Sequence, residues 1–312
     1  MQAAEYLDRI RQKRGAEREL EALAAVKTGE VPSIFATPSA WPVVTIRKEI
    51  DGLPYRLDLR VAPNFFAVGD DGSPFFLPMW PTTAQKVADR FNAILPTKRI
   101  ADAVYAAAEI EVPIVTPGAP WYVAGKPGDI GDSEAWYDAT LRKRAQGPAG
   151  RFGKLVDGHS KNLIVSPKDD GARVRIYGAR RPDGSYPLQA ESAVHAWNYL
   201  DYSHGTRLIS RNAVLNGQPI DLMTVFMDPK VSALVSDDGP FLPKYPINGN
   251  NIGAGISTLV KTPGAPAPAL EKSHASPPLP PKTTPPSEGG GDDYAVPMVA
   301  AAVAAVLWFI FS

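Results

Sequence analysis

The spacing of apolar residues predicts three helices in the first 110 residues. Residues 1–30 carry an interrupted apolar stripe among charged positions, which predicts an N-terminal helix. Between residues 81 and 107, apolar positions recur every three or four residues on both sides of a proline. This pattern predicts two consecutive helices that form one helical layer. We expect Thr82 or Thr83 to cap the first of these two helices and Thr97 to cap the second.

Residues 32–78 instead alternate apolar and polar positions around Asp-Gly turns. The segments 41–50, 55–61 and 64–78 are therefore predicted to be short strands joined by tight turns. Their aromatic residues are interpreted as core because they fall at alternating strand positions, with a carbohydrate-stacking surface as the alternative. These aromatic residues are Phe65, Phe66, Phe75, Phe76 and Trp80.

The second half of the chain adds further strands and short helices. Segments 162–166 and 172–181 are predicted strands, and residues 211–236 read as a strand, an Asn-Gly turn and one or two helices. The predicted fold class is therefore α+β, a strand-rich head with a two-helix layer. The predicted domains are an N-terminal helix at 1–30, a head at 31–260 (undivided or split into 31–130 and 150–260), a linker at 261–293 and a membrane segment at 294–312.

The composition changes sharply at the C-terminal end. Residues 261–293 are dominated by proline, glycine and small polar residues, which predicts an extended tether without a core. Residues 294–311 contain no charge, and as a helix they would span about 27 Å, close to the roughly 30 Å of a bilayer core. We therefore predict a C-terminal hydrophobic helix that anchors the protein in a membrane. The alternative is an apolar tail docked in a groove of the protein.

Charge and cysteine content exclude several function classes. Lysine plus arginine and aspartate plus glutamate both number 33, so no net field attracts nucleic acid, and we expect no nucleic-acid partner. The basic stretch 141–154 is interpreted as a solvated linker. The chain has no cysteine, which excludes thiolate nucleophiles, disulfides and cysteine-based zinc sites. The N-terminus lacks the apolar core of a secretion signal.

Three of the four histidines fall between residues 159 and 204, and this clustering marks the candidate site. The predicted catalytic residues are His204, Ser203, His195 and His159. The predicted substrate-binding residues are Arg207, Tyr202 and Lys161. In this hypothesis an imidazole activates Ser203 or a water molecule, and the Arg207 guanidinium holds a substrate carboxylate.

Adjacent residues of an extended segment point to opposite sides, which limits how a serine nucleophile could be activated. Ser203 would use His195 or His159 as its base rather than the histidine next to it. Asp201 or Asp157 could orient that imidazole.

Two other arrangements remain open. One is a zinc site of the three histidines with a carboxylate, although their spacing matches no compact zinc motif, so we expect no cofactor and keep zinc as the alternative. The other is a structural corner in which Tyr202, His204 and Arg207 bond to buried backbone and carboxylate groups.

Two sequence blocks resemble known families. "SHGTRL" (203–208) is similar to the Ser-His-Gly-Cys-x-Arg block of L,D-transpeptidases, but Thr206 stands at the cysteine position, so the cysteine chemistry is not implied. The wider pattern "GHSKN…VRIYGARRPDGSYPLQAESAVHAWNYLDYSHGTRL" resembles an uncharacterised family of bacterial and phage proteins associated with cell walls, over roughly residues 40–245. That resemblance implies one site made of His159, Lys161, His195, Tyr202, Ser203, His204 and Arg207.

These observations predict a membrane-tethered, envelope-acting protein of phage origin with a hydrolase-like head that acts on peptidoglycan or a related polymer. The alternative is a non-enzymatic structural or wall-binding virion protein. A third possibility is a tail-anchored cytosolic protein with a head that processes small molecules. The expected partners are a membrane and a peptidoglycan or envelope ligand. The expected location is membrane-associated, in a virion or bacterial cell envelope.

Overall fold

Helices and strands both build the part of the chain that the structure describes, which confirms the predicted α+β class. This computed structural model describes residues 1–123, 126–146 and 154–248, all of which lie in the compact unit Met1–Thr262. The predicted subdomain boundaries stay predictions.

The helices lie mostly where the apolar spacing placed them. The N-terminal region forms two helices rather than one, and α5 has the predicted Thr97 cap, whose side chain accepts the Ile100 N–H. The predicted cap of α4 is wrong, because Trp80 holds the cap position and Pro81 takes the first helical position. The helices are α1 Ala3–Ile10, α2 Gly15–Thr28, α3 Ser33–Ala36, α4 Pro81–Arg90, α5 Lys98–Ala107, α6 Ser133–Gln146 and α7 Leu222–Met227.

The strands are short except for two hairpins. They are β1 Val43–Ile50, β2 Leu53–Val61, β3 Ala67–Val68, β4 Phe75–Phe76, β5 Ala93–Ile94, β6 Ile110–Glu111, β7 Tyr122–Val123, β8 Lys126–Pro127, β9 Val156–Asp157, β10 Lys161–Leu163, β11 Ile176–Gly178, β12 Gln189–Ser192, β13 His204–Gly205, β14 Ile209–Leu215 and β15 Gln218–Asp221. The predicted strands at 162–166 and 172–181 are thus present as the shorter β10 and β11.

The largest sheet is antiparallel, in the order β1-β2-β14-β15 with β5 paired to β14. The β14–β15 hairpin turns at the predicted Asn-Gly pair, where Asn216 and Gly217 both have positive φ, as a tight hairpin requires. Apolar residues of this sheet pack with Ile100 and Val104 of α5 and with α7. This packing forms one of the two main cores of the head.

A second sheet, in the order β12-β11-β10-β13, brings the candidate residues together. Its strands β10 and β13 are parallel, and their register places Lys161 opposite His204 and Asn162 opposite Gly205. Three further strand pairs are β3–β4, β6–β9 and β7–β8. The β10–β13 pairing joins two segments that lie far apart in the sequence.

The aromatic residues of segment 64–80 form the other main core. All five that the sequence singled out are buried, so the interpretation as core is confirmed against the carbohydrate-stacking alternative. Helix α4 packs into this aromatic core through Ala84, Val87 and Ala88, whereas Ile100 and Val104 of α5 pack into the core under the large sheet. The apolar face of α4 is therefore buried in one core and that of α5 in the other.

The predicted membrane anchor requires a correction. Among the described helices, none is long and apolar enough to cross a membrane, which contradicts the predicted transmembrane helix and tail anchor. The longest described helices, α2 and α6, have 14 residues each. Such a helix spans about 21 Å, less than the roughly 30 Å of a bilayer core. The linker at 261–293 and the segment 294–312 lie outside the described residues.

Candidate functional site

The candidate site is centred on the segment between β12 and β14. Strand β13 lies parallel to β10, and the backbone N–H of Lys161 donates to the carbonyl oxygen of Ser203 over 2.7 Å. This pairing brings Lys161, Ser203 and His204 together.

The Asp201 carboxylate organises the turn before β13. Its Oδ1 accepts the Ser203 N–H over 2.7 Å and the Ser203 hydroxyl over 2.5 Å, and its Oδ2 accepts the Tyr199 hydroxyl over 3.0 Å. Burial raises the pKa of Asp201, but attraction from His204 and Lys161 and the Ser203 hydrogen bonds outweigh burial and lower this pKa to about 2. The Ser203 hydroxyl therefore donates to a stable carboxylate and not to an imidazole.

His204 is buried, with 2% exposure. Neither of its ring nitrogens has a hydrogen-bond partner among the described residues. Burial lowers the pKa of His204 to about 4, against the attraction of Asp201, so the ring is neutral at pH 7. Its edge meets the ring of Tyr199 at a centroid distance of 5.7 Å, and Tyr199 stacks on the exposed His195 at 4.0 Å. His195 therefore approaches His204 through an intervening tyrosine.

His159 belongs to a separate hydrogen-bonded chain inside the head. Its Nε2 is 2.8 Å from Asn64 Oδ1, and its Nδ1 is 2.9 Å from Ser160 Oγ. Asn64 Oδ1 also accepts the Phe65 N–H, so we assign Nε2 as the donor and Nδ1 as the acceptor of the Ser160 hydroxyl. Burial, together with the nearby Lys143 and Arg207, holds the pKa of His159 well below its ordinary value.

Lys143 of α6 connects this chain to the turn at Asp201. Its Nζ donates to Ser160 Oγ over 2.9 Å and to the Tyr202 carbonyl oxygen over 3.0 Å. Burial lowers the pKa of Lys143 to about 7. A serine bonded to both an imidazole and a lysine has the composition of a nucleophilic centre.

Close packing at Gly205 leaves no room for a substrate at this serine. A Cβ at position 205 would lie 2.7 Å from the Cβ of Ser160 and 2.5 Å from Cδ1 of Phe65. One methyl group does not fit beside Ser160, and the four residues of the hydrogen-bonded chain, Asn64, His159, Ser160 and Lys143, are all buried. The chain is therefore a packed internal network.

Arg207 lies wholly inside the protein. Its Nη1 donates to the carbonyl oxygen of Ala62 over 2.9 Å, and its Nη2 donates to that of Val156 over 2.7 Å. Nη2 is also 3.2 Å from Asp157 Oδ1, and the guanidinium lies over the Phe65 ring, 4.1 Å from its centroid. With 0% exposure, this guanidinium ties three segments of the fold together.

The zinc alternative finds no support in the described part of the chain. No group of three or more His, Cys, Asp or Glu side chains there is arranged to hold a metal ion. His159 is bonded to Asn64 and Ser160, His195 is stacked at the surface, and His204 lies beneath it.

Two surface hollows of about 530 and 230 Å³ lie elsewhere, around the start of α5. They share Lys98, Arg99 and Asp237, and none of the predicted site residues lines either hollow. Arg99 is paired with Asp237 and Lys98 with Asp102 across their walls. These ion pairs partly neutralise the charge of both hollows.

Sequence reasoning missed Asn64, Ser160, Lys143 and Tyr199. Ser160 follows a predicted histidine and Tyr199 lies two residues before Asp201, so a wider search around each motif would have found them. Asn64 is 95 residues from its partner His159, and no local signal marks it.

Comparisons of the chain with protein-family models, with curated proteins and with solved structures give no match, so a function must be argued from the geometry of this site.

Proposed function

We propose that this chain is a non-enzymatic structural or wall-binding protein, the second of the functions predicted from the sequence. The enclosure of Arg207 supports this proposal most strongly. A guanidinium with 0% exposure, bonded to two carbonyl oxygens and a carboxylate, has no access to a substrate carboxylate. A location in a virion or cell envelope remains part of the proposal.

The surroundings of Ser203 support the same proposal. A serine nucleophile needs a base within hydrogen-bond reach that can take its proton. The Ser203 hydroxyl instead donates to Asp201, whose low pKa makes it a poor proton acceptor near pH 7. The same carboxylate accepts the Ser203 N–H, which is the pattern of a side chain that stabilises a turn.

One observation favours hydrolysis as a second candidate function. The ring nitrogens of His204 are unpaired among the described residues, and a neutral imidazole beside a carboxylate is suited to activating a water molecule. In this case the nucleophile would be water, and Tyr199 and His195 would have to move aside to admit the substrate.

Co-sedimentation with purified bacterial cell walls distinguishes the two functions. The full chain is incubated with walls, and pelleted protein and clearing of the walls in a zymogram are recorded for the wild type and His204→Ala. The proposal predicts no clearing by either protein. Clearing by the wild type that His204→Ala abolishes, while that variant still folds, would establish the hydrolase instead.

A further inference from the structure

We propose that Lys161, His204 and His195 form a binding subsite for a single carboxylate group. This inference rests on the proposed function in that it names the ligand chemistry of a wall-binding head. The sequence suggested that Arg207 holds a ligand carboxylate. Because Arg207 is enclosed, Lys161 has this role in the proposed subsite.

The parallel pairing of β10 and β13 creates the subsite. Lys161 and His204 are direct partners in the register, so their side chains project from the same face of the sheet, on strands about 5 Å apart. Lys161 is partly exposed, whereas His204 is 2% exposed and the Tyr199 ring lies against its imidazole. A ligand held by Lys161 therefore reaches the imidazole when Tyr199 moves aside.

Lys161 is a cation without a direct partner. Among the described residues its ammonium group forms no hydrogen bond and no ion pair, and only longer-range attraction connects it to Asp201. In contrast, Lys168 and Lys244 each contact a carboxylate. Lys161 therefore has its donors available for an anion from solvent.

His204 supplies a second donor. A neutral imidazole carries one N–H, and a buried N–H group requires an acceptor. The Asp201 carboxylate forms no hydrogen bond with this ring and instead accepts from Ser203 and from Tyr199. An external oxygen between Lys161 and His204 would satisfy both donors.

The charges around the subsite favour a monoanion. Lys161 contributes one positive charge, and the buried Lys143, whose pKa is lowered by burial to about 7, contributes a partial one. The buried Asp201 contributes one negative charge, which repels a dianion such as phosphate more strongly than a monoanion. The exposed His195 is stacked on Tyr199, so these two rings offer an aromatic surface to the apolar part of the ligand once Tyr199 has moved from His204. A carboxylate next to a small apolar group fits this arrangement.

The test is an NMR titration of the full chain, labelled in its histidine rings, with N-acetyl-D-alanine and with its neutral amide. The chain has only four histidines, so the His204 signal can be assigned by comparison with His204→Gln. We expect saturable shifts of His204 with the carboxylate and none with the amide. Lys161→Met should weaken binding about tenfold or more, as the loss of a charged hydrogen bond does. Lys161→Arg should retain most of the binding.

Lys27→Met is the matched control, because Lys27 is an exposed lysine on α2, outside this site. It should bind the carboxylate like the wild type. Equal binding of the amide, an unchanged affinity in folded Lys161→Met, or the absence of saturable shifts would overturn the subsite. Wall co-sedimentation separates this inference from the proposed function. If the walls pellet the wild type and Lys161→Met to the same positive extent, the subsite alone is disproved. If the wild type binds the carboxylate but does not pellet with walls, the subsite is supported and the wall-binding function is contradicted.

Discussion

Arg207 and Asp157 form an ion pair of 3.2 Å whose two side chains are only 0% and 2% exposed. The pair links the segment after β13 to β9, and the Arg207 bond to Ala62 adds the segment that follows β2. Burying two charges is costly, and the contact between them, the Gly158 N–H that donates to Asp157 Oδ1 and the two carbonyl bonds of Arg207 offset that cost. Arg207 Nε and Asp157 Oδ2 have no hydrogen-bond partner among the described residues. The pair therefore serves to hold the fold in one arrangement.

Removing one member of this pair should destabilise the head strongly. Arg207→Met leaves the Asp157 carboxylate buried without its cation, which typically costs about 3–5 kcal/mol in the free energy of unfolding. Urea unfolding followed by circular dichroism measures the change. The control is Arg211→Met, which removes the exposed pair with Asp221 and should cost about 1 kcal/mol or less. Equal losses in the two variants would contradict a structural role for Arg207.

Gly205→Ala should destabilise the head through overpacking. The added methyl group would lie 2.5 Å from Phe65 and 2.7 Å from Ser160, so the aromatic core must shift to admit it. Overpacking of this kind typically costs about 1–3 kcal/mol. Thermal unfolding measures the effect, with Gly72→Ala as the control, because its methyl group meets only ordinary contacts. A melting temperature unchanged in Gly205→Ala would show that room exists beside Ser160.

The stability of the head should fall in acid because of His204. Its pKa is about 4 in the folded state, below the ordinary 6.5, so the unfolded chain binds more protons between these pH values. Stability contributed by the neutral ring is present above pH 6.5 and is lost as the pH falls from 6.5 to about 4, by roughly 3 kcal/mol. Urea unfolding at several pH values should show a shallower acid dependence in His204→Phe. An identical dependence in both proteins would contradict the buried neutral state of His204.

Glu19 should lower the stability of the head as the pH rises, which is the reverse of the effect of His204. Burial raises the pKa of this α2 carboxyl to about 7, against a hydrogen bond from the Trp80 N–H, so the folded state binds the extra proton. Stability should therefore fall as the pH rises from about 4.5 to 7, by up to roughly 3 kcal/mol. Glu19→Gln should remove this loss and be more stable than the wild type at pH 8. Glu17→Gln, on the exposed face of α2, should change stability by less than about 0.5 kcal/mol. A wild type with a larger free energy of unfolding than Glu19→Gln at pH 8 would contradict the raised pKa of Glu19.

Local patterns predicted much of the secondary structure. The Thr97 cap and the Asn216-Gly217 turn are each set by neighbouring residues, and both are present as predicted. The start of α4 was misplaced because Pro81 occupies the first helical position ahead of the two threonines. The N–H of its cap residue, Trp80, donates to Glu19, which lies 61 residues earlier and gives no local signal.

The candidate site was only partly predictable, because its contacts come from distant segments. The sequence singled out the "YSHG" block, but the parallel pairing of β10 with β13 that brings Lys161 beside it depends on the whole fold. Burial was the property that sequence could not supply. The sequence left Arg207 with two roles, as a substrate-binding residue or as part of a structural corner, and the structure shows it bonded to the Ala62 and Val156 carbonyls and to Asp157, as in the corner.

The release of soluble fragments from dye-labelled cell walls tests the non-enzymatic account most directly. The full chain, Ser203→Ala and His204→Ala are compared at equal concentration near pH 7, with unfolding curves confirming that each is folded. The account predicts release at the level of buffer alone for all three proteins. Steady release by the wild type that falls to the buffer level in folded His204→Ala would contradict it.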